Sequence, residues 1–389
     1  MLDMGSVKNF SINKSDWINV KFGDVVFELK ESIKDPVAEG IVHVVGLEHI
    51  ESGDIHLRRS ASIEEGTTFT KKFGKGDVLF GGRRAYLKKA AKANFEGICS
   101  GDITVMRVKE ELLIPELLPF IVKNENFFDH AITHSAGGLS PRVKFKDLAN
   151  YEFLLPPREQ QAKIAELLWA LDESSEKNNA LKHSLEISYS SLLNSIFKKN
   201  TSFIKLKEIK INYFKGLSAN EDISGESMLI PSGGVFPRSL KKEKIKKVNI
   251  SNESSNKKIL CKDDILFNTG GKGTLGRSHF FNISNGNFYC DTFVLVIRVN
   301  DDNFLNKYIY HVFQSNSIFN QITKYTKGTT GITSIATDSI KNFEIPALKK
   351  ETQKQFVKRL DSIETTIENL NHKIDKEKIL KNSIIKTIF

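Results

Sequence analysis

The stretch Phe267 to Arg277, FNTGGKGTLGR, holds a GxGxxG at Gly271, Gly273 and Gly276, directly after DDIL, which reads as a short strand. A glycine-rich turn after a strand can cradle a phosphate or the S-adenosylmethionine of a methyltransferase. A dinucleotide site also needs a helix opening at the glycines and an acid about 20 residues further on. The sequence that follows, SHFFNISNGNFYCD, reads instead as another strand and a turn. His130 and His134, in DHAITH, would share a helix face and could bind zinc. Ala131 stands where a metalloprotease places its glutamate, so exposed or locally bonded histidines are the better reading. Asp102 and Asp291 lie beside strand-like runs without the Glu-x-Lys spacing of a nuclease. Neither the Asn-Pro-Pro-aromatic stretch of an amino-methyltransferase nor the GxxxxGK[ST] of an NTPase occurs in the sequence.

Composition bounds the size and class of the chain. The 389 residues suggest about two domains, and 40% hydrophobic with 27% charged residues is a globular balance. A net charge of +10 and a pI of about 9.2 suit a polyanion, nucleic acid before an acidic membrane, although a merely basic soluble protein would look the same. Three cysteines, Cys99, Cys261 and Cys290, with no CxxC fit neither a disulfide framework nor a zinc knuckle. That usage fits a reducing cytosol, and cytoplasmic localisation is expected. No apolar run approaches the ~18 residues of a membrane span, and MLDMGSVKNF shows no apolar secretory core.

The chain repeats itself. At an offset of 192 positions, Leu148–Phe197 lies over Ile340–Phe389 without a gap, with 11 of 50 positions identical. The identities include Asn150/Asn342, Glu159/Glu351, Gln161/Gln353, Leu168/Leu360 and Phe197/Phe389. Upstream, ICSGDITVMRV lies over FYCDTFVLVIRV, so that Cys99 meets Cys290 and Arg107 meets Arg298. GDVLFGGRRAYL lies over DDILFNTGGKGTLGR, and near each start Phe22 meets Leu206 and Val25 meets Ile209. Two copies this long imply two similar domains with a pseudo-two-fold relation. The copy of the glycine stretch is FGGRRAYLKK, which keeps two glycines and substitutes arginines. The shared feature is thus a strand, a glycine-rich loop and basic residues, not a cofactor turn.

Each copy opens with short β-like runs such as GIVHVVGLEHI, DVLF and ITVMRV, interrupted by the helical IPELLPFIVKNENFFDHAI. Each closes differently. From Glu351, apolar residues fall at Phe356, Leu360, Ile363, Ile367, Leu370 and Ile374, in steps alternating between four and three. That is a coiled-coil seam; it weakens at Glu377 and resumes near Leu380, Ile384 and Ile388. The first copy shows Ile164, Leu168 and Leu171, a polar middle, then Leu181, Leu185, Leu192 and Ile196. A helix of about 40 residues would be about 60 Å long. An ordinary amphipathic core helix would carry the same stripe, but two matched long helices favour packing on each other. The expected division is 1–155, a first β-rich domain; 156–200, a central helix; 201–348, a second β-rich domain; and 349–389, a C-terminal helix. The fold class expected is α+β: two β-rich α/β domains alternating with two long helices that pack as a coiled coil.

Basic residues gather in the β-rich parts, where Lys and Arg can contact phosphates and, with Asn and Gln, read base edges. The candidate DNA contacts of the first copy are Arg58, Arg59, Arg83, Arg84, Tyr86, Lys88, Lys89, Ser135, Arg142 and Lys144. Those of the second are Asn268, Thr269, Lys272, Thr274, Arg277, Lys327, Thr329 and Thr330. Any single lysine here also reads as part of a solvated face. Arg83, Arg84, Lys272 and Arg277 stand out because position and charge recur between copies. HSAGGLSPRVK and TKGTTGITSIA form a second pair of small-residue loops.

These stretches together resemble the specificity subunit of type I restriction–modification systems. The resemblance rests on VGLEHIESGD, GDVLFGGRRAYLKKAA, GICSGDITVMRV and SAGGLSPRVKFKDLANYEFLLPPREQQ. It also rests on the helix entries LPPREQQAKIAELL and ALKKETQKQFVKRL. The second recognition domain matches only in DDILF, DTFVLVIRV and KGTTGITS. The family implies that each recognition domain reads, in the major groove, one half of a split double-stranded DNA site. It implies that the long helices pack antiparallel as a spacer. It further implies that the helix pair holds two methyltransferase subunits, which bind S-adenosylmethionine and methylate adenine, and that motor–nuclease subunits join them. It assigns this chain no active site and no cofactor. The alternative is an enzyme, a fused restriction enzyme–methyltransferase fragment with a cryptic catalytic site.

Overall fold

The structure, a computed structural model, describes residues 14–199, 202–250, 257–326 and 333–389. The chain forms two compact units: the first runs to Lys177 and adds Lys373–Phe389, and the second is Asn178–His372. The division falls inside each of the two long helices, Arg158–Lys199 and Lys350–Ile388, of 42 and 39 residues. At 1.5 Å per residue each is about 60 Å long.

In the first unit an antiparallel sheet has the strand order Val26–Glu28, Ile103–Val108, Val78–Gly81, Ala90–Lys92. A second sheet orders Ala61–Ser62, His43–Val45, Gly97–Cys99, Lys71–Phe73, with its middle pair parallel. The second unit repeats the first sheet as Ile211–Lys215, Val294–Val299, Ile265–Asn268, Ser278–Phe280, again antiparallel throughout. Its other main sheet, Lys246–Val248, Ser227–Ile230, Asn287–Cys290, again holds a parallel pair. Burial on both faces explains why the central runs ITVMRV and VLVIRV are almost continuously apolar. Helices Leu118–Val122 and Glu125–Thr133 pack on one sheet, and Asn306–Phe313 and Asn316–Tyr325 take the same place on the other.

The repeated residues do repeated work. Arg107 Nε bonds buried Asp77 at 2.7 Å, and Arg298 Nε bonds buried Asp264 at 2.7 Å. In each case the carboxylate pushes the guanidinium pKa further up. Phe22 N donates to Tyr151 O, and Leu206 N donates to Phe343 O. Gln161, buried at the helix start, accepts from Ile114 N and donates to the Leu112 and Pro156 carbonyls. Gln353 accepts from Leu305 N and donates to the Asn303 and Leu348 carbonyls.

Within each unit the segments of the two long helices pack on one another. In the first unit Ile164 and Leu168 share a core with Ile385, Ile388 and Phe389, and Leu171 is buried. Farther along, Asp172 Oδ1 accepts from Lys381 at 2.8 Å and Oδ2 bonds His56 at 2.6 Å. Glu377, 5% exposed, accepts from the Ser174 and Ser175 hydroxyls at 2.7 and 3.0 Å. These pairings run antiparallel. The expected weakening at Glu377 is therefore a seam position filled by an acid, three residues after Ile374. In the second unit Phe356 and Leu360 pack with Tyr189, Leu193 and Ile196, and Ile363 lies against them. Ile367 and Leu370 are buried and Ile374 is half-buried. Leu181, expected on the seam, is exposed. The three-and-four stepping runs through buried Asn178 to Tyr189, which leaves Leu181 one position off the stripe.

Candidate nucleic-acid interface

In the first unit three loops meet at one end of the antiparallel sheet. Strand Val78–Gly81 runs into Gly82, Arg83 and Arg84; strand Ile103–Val108 is preceded by Gly101 and Asp102; and Ala136–Arg142 closes on itself. Backbone bonds tie them: Gly82 N donates to Asp102 O at 2.9 Å, Val143 N to Gly82 O at 2.9 Å, and Arg84 N to Pro141 O at 2.7 Å. A Cβ on Gly82 would lie 3.2 Å from the Val143 carbonyl and 3.4 Å from that of Asp102, so glycine permits the junction. Arg84 and Lys88 bracket a tight turn, both in the left-handed region at φ 55° and 50°, and the turn exposes Tyr86.

The side chains of these loops interlock. Asp102 accepts from Arg83 Nη1 at 3.1 Å on one oxygen and from Arg142 Nη2 on the other. Arg84 Nε donates to Ser140 Oγ at 3.2 Å. Beside them lies a groove of about 320 Å³ lined by Lys30, Lys71, Asp102, Arg142, Lys144 and Lys146. Lys144 is exposed, whereas Lys88 pairs with Glu125 and Lys89 donates to the Leu47 carbonyl. The Ser135 hydroxyl closes its own helix end on Ala131 O.

Arg58 and Arg59 are not brought to this cluster. Arg58 bonds Asp54 at 2.5 Å and Glu176 of the central helix at 2.8 Å. The Asp54 bond pushes its guanidinium pKa further up. Arg59 bonds Glu51 and the Glu48 carbonyl. His130 and His134 bond the carbonyls of Asp147 and His130 respectively.

In the second unit two expected contacts need correction. Asn268 and Thr269 are buried: the amide of Asn268 donates to Ser232 O, and the Thr269 hydroxyl donates to Phe293 O. Their polarity holds the loop base together and does not face outward. Beyond them Gly271, Gly273 and Gly276 all adopt positive φ, at 103°, 73° and 81°, and the chain turns back into strand Ser278–Phe280. The glycines are thus explained by a turn that side chains would strain. The Thr274 hydroxyl closes that turn on Gly270 O. Lys272 is exposed at its tip, and Arg277 stacks 4.2 Å above the Phe236 ring. Lys327, Thr329 and Thr330 lie outside the described residues. A groove of about 540 Å³ at the loop base is lined by Lys215, Thr292, Phe293, Tyr325 and Ser334.

The sequence reading sets Asp102 aside for lack of nuclease spacing and passes over Phe293, and the structure places both at these loop ends. A search for cations passes over both, yet each follows a strand–turn at matched positions, which the duplication could have flagged. Among the described residues, the cluster His311, Asp361 and Glu364 has metal-ligand spacing. Lys307 and Arg238 already pair with its two acids, and His311 bonds Tyr189. No helix among the described residues is long and apolar enough to cross a membrane.

The family model described as "Type I restriction modification DNA specificity domain" matches twice, at residues 14–187 and 194–377. The type I restriction enzyme EcoDI specificity subunit of Escherichia coli is 29% identical over 174 residues, 43% of this chain and 38% of that relative. The crystal structure of a type I restriction–modification S subunit from M. genitalium superposes with a TM-score of 0.65, at 12% identity over 98% of both chains. A chain from work on complex assembly and conformational transition of the type I R-M system gives 0.53, at 18% identity over 97% of this chain and 98% of that one. At such identities the likeness is one of fold. With two successive matches of one model covering most of its length, the chain belongs to the type I restriction modification DNA specificity domain family.

Proposed function

We propose that this chain is the DNA-recognition subunit of a type I restriction–modification complex and reads a bipartite, asymmetric site in duplex DNA. The observation that carries this is the duplicated frame with unlike loops. The same strand order and the same buried Arg–Asp and glutamine ties recur in both units. The loop ends differ, Arg83–Asp102–Arg142 in one and Lys272, Arg277 and Phe293 in the other. Conserved frames and divergent loops are what two half-sites of different sequence require. Arg83, Arg84, Tyr86, Arg142 and Lys144 are the contacts proposed for the first half-site, and Lys272 and Arg277 for the second. The long helices set the unread gap between half-sites. Their outer faces, with adjoining surfaces, hold two methyltransferase subunits, which carry S-adenosylmethionine and methylate adenine, and motor–nuclease subunits complete the complex. The chain itself recognises and does not catalyse, and it works where chromosomal DNA is, in the cytoplasm.

The test is duplex binding by the complex of this chain with its methyltransferase subunits, titrated against salt. Affinity should fall steeply as salt rises. Arg83→Ala and Arg84→Ala should together weaken binding by about 1–3 kcal/mol if one arginine forks onto guanine. Salt-independent binding, or unchanged affinity and site preference in the double variant, would count against the assignment.

A further inference from the structure

The match of Cys99 with Cys290 and Arg107 with Arg298 puts Asp102 and Phe293 at the same loop position. Each side chain lines the groove of its own unit, and their chemistries are opposite. The Asp102 side chain, 18% exposed, lies between two guanidinium groups that each hold one of its oxygens. A carboxylate repels phosphate, so in a cation-lined DNA groove it lowers sequence-independent affinity. Beyond tying Arg83 to Arg142, it gains from DNA only against a donor on a base edge, which in the major groove means the amino group of cytosine or adenine. The arginines beside it match the O6 and N7 acceptors of guanine, which selects a C·G pair over A·T. A carboxylate offers about four lone-pair sites, so Asp102 can accept from a base without releasing both arginines.

Phe293 is 50% exposed and brings neither donor nor acceptor. Its position is fixed from below. The Thr269 N–H and hydroxyl both donate to its carbonyl, at 2.8 and 2.9 Å, and its ring passes 3.2 Å from where a Cβ on Gly270 would stand. A phenyl ring left half in water at a position the two units share gains free energy when something apolar covers it. On a duplex the apolar major-groove feature is the thymine methyl.

We infer that this single loop position sets base preference in both units: Asp102, held between Arg83 and Arg142, accepts from the cytosine amino group of a C·G pair in one half-site, and Phe293 packs on a thymine methyl in the other. The inference rests on the proposed DNA-recognition function and adds which base edges are read.

The test maps adenine methylation on chromosomal DNA in cells carrying the full chain and its partner subunits. The chain is compared as wild type, Asp102→Ala, Asp102→Asn, Phe293→Ala and Phe293→Leu. Both Asp102 variants should relax one C·G position in one half-site, with discrimination falling about 10- to 100-fold. Asn, which adds a donor, should shift preference toward adenine at that position. Phe293→Ala should relax a T·A position in the other half-site, and Phe293→Leu, still apolar, should relax it less. The gap and the opposite half-site stay unchanged in each case. An unaltered motif, relaxation by the Asp102 and the Phe293 substitutions in one and the same half-site, or relaxation at other base pairs overturns the inference while leaving DNA recognition intact. Loss of all methylation even in Asp102→Asn and Phe293→Leu also overturns it, because the two residues would then be structural. A wild-type chain that confers no bipartite motif removes the recognition function and this inference together.

Discussion

Gln161→Ala should destabilise the first unit and spare the second, and the size of the effect follows from the bonds removed. Gln161 is buried and is the partner of three backbone groups: the Ile114 N–H at 3.0 Å and the Leu112 and Pro156 carbonyls at 2.8 and 2.9 Å. Alanine leaves one donor and two acceptors without this partner. A buried unsatisfied group costs about 1–3 kcal/mol, with the orphaned N–H near the top of that range, so a total of about 3–5 kcal/mol is expected. Gln161→Glu should be no milder. It keeps an acceptor for Ile114 but turns a second oxygen toward two carbonyls. Gln353→Ala should produce the same loss in the second unit through Leu305, Asn303 and Leu348. Hydrogen exchange read by mass spectrometry on peptides from each unit separates the two effects within the full chain. A loss under about 1 kcal/mol, or equal loss in both units from one substitution, would refute the reasoning that each glutamine locks its own helix start.

Two further outcomes follow from the helix seam. Burial opposes the charge on Asp172, but hydrogen bonds from His56 and Lys381 outweigh it and hold its carboxyl below the usual carboxylate range. Its contribution is therefore complete above about pH 4 and disappears as pH falls through the lower folded value. Asp172→Asn should cost about 3 kcal/mol at pH 7, at the low end for a buried pair because His56 and Lys381 keep some water contact. That deficit should shrink toward zero in urea titrations run below pH 4; a deficit that persists unchanged there would contradict it. Inserting one heptad in each long helix adds about 10 Å of helix, so the unread gap should lengthen by up to about three base pairs with both half-sites unchanged. Altered half-sites at an unchanged gap in methylation mapping would dismiss the spacer role.

Much of the frame was legible in the sequence because the chain carries its own control. Matching Gln161 with Gln353 and Arg107 with Arg298 marked positions whose roles the structure then supplied, against backbone groups and the buried acids Asp77 and Asp264. The apolar seam was legible where it was apolar. It was lost at Asn178 and Glu377 on the stripe and at Asp172 beside it, where polar side chains are buried and hydropathy gives no signal. Tyr189 was passed over for the same reason: its hydroxyl bonds buried His311 while its ring fills the core. The site itself was less legible. Asn268 and Thr269 have the side chains of base readers but face inward, since loop-base carbonyls need donors. Asp102 was weighed only as a nuclease acid, since its charge is wrong for a phosphate contact, and only the meeting of three loops shows that it links two arginines.

The central claim is that two unlike loop sets on one repeated frame read two different half-sites. Single-molecule methylome sequencing of the host, with the chain intact and with its gene deleted, addresses it most directly. The account predicts one adenine-methylated motif made of two unequal half-sites around a fixed unread gap, present with the chain and absent without it. A motif that survives deletion, or a palindromic or uninterrupted one that depends on the chain, would contradict it.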